Sequence, residues 1–76
     1  MSPKLPVVRA HALVRVVERL GFVFDRQRGS HAVYRRPTDG ARVVIPMHAG
    51  KDLKAKTLAG ILDDLGISPD EFRSML

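Results

Sequence analysis

The sequence predicts an α+β fold: a helix, a three-stranded antiparallel sheet, a second helix and a short C-terminal helix. Three observations carry that reading. Leu13, Val16, Val17 and Leu20 fall at i, i+3, i+4, i+7, and Leu58, Ile61, Leu62 and Leu65 repeat the pattern, so two stretches have helical periodicity. Between them, residues 22–46 are rich in aromatic and β-branched side chains and are divided by two glycine-containing turns, which is the pattern of a β-meander.

Each element has its own start and stop signals. After an extended leader over residues 1–8, which contains two prolines, the first helix runs from Ala10 to Leu20. Gly21 then stands where a left-handed C-terminal cap is favoured. Phe22-Val23-Phe24 opens a strand that reaches Gln27. Gly29-Ser30 turns the chain into a second strand, His31–Arg36. Pro37-Thr38-Asp39-Gly40 supplies the next turn, and Val43-Val44-Ile45 forms the third strand, ended by Pro46, which has no N–H to donate to a ladder. Met47–Asp52 is a polar loop. The second helix begins near Lys54 and closes at Gly66. Ser68-Pro69-Asp70-Glu71 is a capping box with proline at the first helical position, so a short helix carrying Phe72, Met75 and Leu76 follows. Both main helices should bury their apolar stripes on one face of the sheet and leave the other in water. Phe22, Phe24 and Phe72 are expected in the core, with Tyr34 divided between core and surface.

Composition narrows the function. With 76 residues there is room for one small domain, read here as residues 1–76, and 45% apolar with 28% charged residues is ordinary globular usage. The chain contains no cysteine, which removes disulfides, thiolate metal sites and thiol nucleophiles together. No apolar run is long enough for a membrane helix and the N-terminus has no signal-peptide pattern, so the cytoplasm is the expected compartment and no membrane partner is expected. The net charge of +5 is unevenly placed: residues 1–56 carry +8 and residues 57–76 carry −3. A basic body of this kind attracts polyanions, although charge alone equally fits an ordinary basic protein.

His31 is the foremost candidate for chemistry. It follows Gly29-Ser30 at a hairpin tip, with Arg26 and Arg28 before it and Arg35 and Arg36 after it. Imidazole exchanges protons near neutral pH, and a hairpin tip is accessible to a phosphate backbone, though such tips also carry polar residues for structural reasons. His48, with Lys51 in the loop before the second helix, could contact phosphate, aided by free N–H groups at the helix mouth; a loop histidine that packs or caps is the plainer reading. His11, at the start of the first helix, is expected in solvent. The chain has no Walker pattern, no G-x-S-x-G, no acid cluster to hold magnesium and no histidine pair at ligand spacing, so no metal or other cofactor is expected.

Taken together, Leu20-Gly21-Phe22, Arg26-Gln27-Arg28-Gly29-Ser30-His31 with Tyr34-Arg35, Val44-Ile45-Pro46 with His48, Gly50-Lys51-Asp52-Leu53, Thr57-Leu58 with Ile61-Leu62, and Gly66-Ile67-Ser68 closely resemble the HicA toxins of HicA/HicB toxin–antitoxin systems. The likeness runs from about Leu13 to Phe72. It implies a fold similar to the double-stranded-RNA-binding domain. It also implies an mRNA interferase, a metal-independent endoribonuclease acting on mRNA and held inactive by a HicB-like antitoxin, with the catalytic histidine falling on His31. The RNA-binding set expected around it is Arg28, Gly29, Ser30, Arg35, Arg36, His48 and Lys51. Arg9-Ala10 and Ala55 depart from the helix-starting residues common in relatives, which bears on helix edges. A non-catalytic RNA-binding module and a small protein-interaction adaptor are the alternatives.

Overall fold

A computed structural model describes residues 5–76; the first four residues of the leader lie outside them. The element order is α1 (Ala10–Arg19), β1 (Val23–Arg28), β2 (His31–Arg35), β3 (Arg42–Pro46), α2 (Ala55–Leu65) and α3 (Pro69–Met75), the α+β order expected. Both main helices end in Schellman motifs. Gly21 and Phe22 donate to the Glu18 and Val17 carbonyls, and Gly66 and Ile67 donate to those of Asp63 and Leu62. Ser68 and Glu71 form the reciprocal capping box at the start of α3. Neither α1 nor α2 has a side-chain cap at its N-terminus.

The sheet is antiparallel in the order β1-β2-β3. Leu13, Val16 and Val17 of α1, and Leu58, Ile61, Leu62 and Leu65 of α2, pack with Ala32, Tyr34, Val43 and Ile45 from one sheet face, and Phe22 and Phe72 close the ends of this core. The other face is open, as the alternation of inward apolar and outward polar residues requires. Val33, on that open face, is buried yet lies outside the core cluster.

Two aromatic expectations are corrected. Tyr34 is buried at 7% exposure rather than half exposed, whereas Phe24 is 55% exposed rather than part of the core. The helices make their sheet contacts chiefly with β3, so β1 extends past the helical layer and all six of its residues are exposed. Phe24 meets Tyr34 edge to face, with ring centroids 5.7 Å apart. The β1–β2 register also shifts between Phe24 and Arg26, where Asp25 is inserted as a bulge. Phe24 pairs with Tyr34 on the core side, and past the bulge Arg26 pairs with Val33 and Arg28 with His31 on the open side.

Candidate active site and nucleic-acid interface

The hairpin Arg28-Gly29-Ser30-His31 sets the site. Gly29 adopts φ +56° at the first turn position, which a tight hairpin turn demands and a residue with a Cβ resists. The Gln27 side-chain amide donates to the Gly29 carbonyl at 3.0 Å and braces the turn. His31 is then the first residue of β2, opposite Arg28 on one side and Pro46 on the other.

Cross-strand partners share a face, so the register fixes what surrounds His31. The open face presents three rows: Arg28, His31 and Pro46; Arg26, Val33 and Val44; Val23, Arg35 and Arg42. Four arginines thus share one surface with an exposed imidazole that no side-chain hydrogen bond holds among the described residues. Arg26 lies 3.6 Å from Asp25. Among the described residues, Arg28, Arg35 and Arg42 have no ion-pair partner. Arg35 and Arg42 stand directly opposite one another, a like-charge arrangement that is unfavourable to a sheet and that a bound anion would relieve. Arg42 is absent from the residues the sequence points to. Its signal is the alternation through Val43 and Ile45, which turns Arg42 and Val44 outward once those two face the core.

Arg36 does not join this group. Its guanidinium binds both carboxylate oxygens of Asp39, at 2.9 and 2.7 Å, donates to the Leu20 carbonyl at 3.4 Å and stacks 4.8 Å from the centre of the Phe22 ring. It ties the end of α1 to the β2–β3 turn. The bond from Arg36 holds the Asp39 carboxyl at about 2, from an ordinary 3.8, and Asp39 in turn raises Arg36. Burial, with a smaller contribution from Glu18, raises the Tyr34 phenol.

The loop after β3 is brought beside the hairpin by a bond from the Met47 amide to the Ser30 carbonyl. That bond carries the exposed residues His48 and Lys51 toward the His31 end of the sheet. Lys51 donates its amide to the His48 carbonyl at 3.2 Å, closing a turn through Gly50. His48 separates two surface cavities. One, of about 300 Å³, is bounded by Arg9, Ala10 and His11 at the start of α1. The other, of about 350 Å³, is bounded by Pro46, Lys51, Lys54 and Thr57 at the start of α2. His11 is exposed, as expected. Among the described residues no three His, Asp or Glu side chains converge as a metal site, and no helix is long and apolar enough to cross a membrane.

The fold and this face define a small α+β domain with a basic sheet surface, and the family comparison gives it a family. Residues 10–67, most of the chain, match the family model described as HicA toxin of bacterial toxin-antitoxin. The chain belongs to that family and is the toxin component of a toxin–antitoxin pair. A search of curated proteins finds no match.

Proposed function

We propose that this toxin is an mRNA interferase that cleaves RNA with His31 as a general acid or base, and that a HicB-like antitoxin silences it by covering the open sheet face. The observation that carries the reading is the set of uncompensated arginines around an accessible imidazole, in a chain of the HicA family. RNA brings its own nucleophile. Attack of the 2′ oxygen on phosphorus forms the new P–O bond and breaks the bond to the 5′ oxygen, while a proton leaves the 2′ hydroxyl and one reaches the departing oxygen. His31 serves one of these transfers and water the other. Arg28, Arg35 and Arg42 stabilise the charge that grows on the phosphoryl oxygens, and such fixed charges act without reorganising. Lys51 and His48 hold the adjoining phosphate, and Gly29 and Ser30 let the backbone approach it closely.

The test is cleavage of a labelled RNA by purified protein and by His31→Ala, with circular dichroism on both. General acid–base catalysis contributes about 10²–10⁴-fold, so the variant should lose at least that much rate while keeping its fold. A folded His31→Ala that cleaves at the wild-type rate removes His31 from the chemistry. A wild type that binds RNA and cleaves none is a binding module, and one that does neither is an adaptor.

A further inference from the structure

The surface carries more positive charge than the His31 face uses, and the extra charge is organised. His11, Arg15 and Arg19 recur every four residues on α1, one turn apart and so about 6 Å apart along the helix axis. That step is comparable to the one between successive phosphates of a single strand. With Ala12, Met75 and Leu76, these three side chains bound a surface cavity of about 200 Å³. His11 also bounds the cavity at the start of α1, His48 bounds that cavity and the one beside Pro46, and Pro46 pairs with His31. The three cavities thus follow one another as a broken trough, with His11 standing between the first two and His48 between the next two. The trough runs from Arg19 along α1, over the loop at His48, past Lys51 and up to the His31 row.

We infer that this trough is the path of the RNA strand leading into the cleavage site: a phosphate-tracking groove whose outer half is the α1 stripe His11, Arg15 and Arg19. The inference rests on the ribonuclease reading for its direction but not for its binding. Apart from Asp52, which lies 3.9 Å from Arg9, the trough is lined by no carboxylate side chain among the described residues. Arg15 has no bonded partner among the described residues, and Arg19 gives one N–H to the Met75 carbonyl, at 3.0 Å, leaving its other donors free. An acidic protein is the other polyanion to consider. Protein docking sites centre on buried apolar and aromatic anchors; of the exposed large apolar residues of this chain, Val23 and Val44 lie on the open sheet face, Phe24 on the other side of the sheet, Val7 ahead of α1, and Leu76 at the far end of the trough. The trough suits a sugar–phosphate chain, and the sheet face suits a protein.

The test uses a 20-nucleotide single-stranded RNA, with all binding measured in a His31→Ala background so that the RNA stays intact. Arg15→Gln and the double variant His11→Gln/Arg15→Gln weaken the stripe, and Lys56→Gln removes the same charge from the exposed part of α2 outside the trough. The salt dependence of log K should flatten by roughly 0.7 for each phosphate that is no longer neutralised, so Arg15→Gln flattens it and Lys56→Gln does not. With His31 restored, the stripe variants should raise KM for the 20-mer, leave kcat in place, and leave cleavage of a dinucleotide unchanged. Unchanged salt slopes, slopes equally flattened by Lys56→Gln, or stripe variants that weaken the antitoxin instead of RNA would overturn the inference. A wild type that cleaves nothing, with the slope still responding to Arg15→Gln, would sink the ribonuclease reading and leave the trough standing.

Discussion

Phe22 and Phe24 are two residues apart in sequence and stand in opposite environments, and replacing each by alanine should separate them sharply. Phe22 is 2% exposed and carries the Arg36 guanidinium on its ring. Truncating a buried phenylalanine costs about 3–5 kcal/mol, from transfer energy forgone and the cavity left behind. Phe24 is 55% exposed, so its truncation forgoes less than half of the ~1.5–3 kcal/mol of a full burial. With the edge-to-face contact to Tyr34 included, Phe24→Ala should cost about 1–2 kcal/mol. A chain of 76 residues has roughly 4–11 kcal/mol of total stability at ~0.05–0.15 kcal/mol per residue. Phe22→Ala should therefore bring the protein close to unfolding, whereas Phe24→Ala should leave it folded and, since Phe24 lies on the face away from His31, as active as wild type. Urea denaturation followed by circular dichroism reads both, with midpoints compared at constant m. Equal losses of stability, or a larger loss for Phe24→Ala, would show that β1 is covered in solution and that the placement of the helical layer is wrong.

Three further outcomes are expected. Asp39 titrates at about 2 in the fold against an ordinary 3.8, so its charged form favours folding. That contribution should be complete above the unfolded value and fade as pH falls through the window toward 2, so stability curves of wild type and Asp39→Asn should converge there; curves that stay parallel from pH 5 to 2 would contradict the pair with Arg36. Cleavage should continue in EDTA, and activity abolished by the chelator and restored by magnesium would refute a metal-independent site. Charge reversal at Arg28 or Arg35 should slow antitoxin association, more at low salt than at high, as rate measurements at two ionic strengths would detect; an antitoxin that leaves His31 open and RNA still cleaved would exclude a covered sheet face.

Helix ends are legible in the sequence because their signals are local. Gly21, Gly66 and the Ser68–Glu71 box act within one turn of chain, and each appears where the sequence puts it. The exposure of Phe24 is not legible, because no property of an aromatic residue in a strand says how far the helical layer on that sheet extends. The sequence neighbours of Arg36 suggest a phosphate ligand, whereas Asp39, three residues on, takes its guanidinium. That acid–base spacing across a Pro-Thr-Asp-Gly turn is a usable signal. The proximity of His48 to the hairpin depends on a bond between Met47 and Ser30, a contact between distant segments that periodicity cannot express.

The inserted Asp25 has a consequence for which changes the chain can absorb. Side chains alternate along a regular strand, yet Phe24 and Arg26, two residues apart, take opposite faces, because Asp25 between them is left out of the pairing. Exchanging Asp25 for another residue preserves that arrangement. Deleting it would make Phe24 and Arg26 neighbours in a regular ladder, with Phe24 still opposite Tyr34 and Arg26 still opposite Val33, so both faces of β1 would keep their residues. The division of charge between the two faces of β1 is thus held in the pairing: it survives loss of the unpaired residue, whereas taking Asp25 into the ladder would turn Arg26 and Arg28 toward the helices.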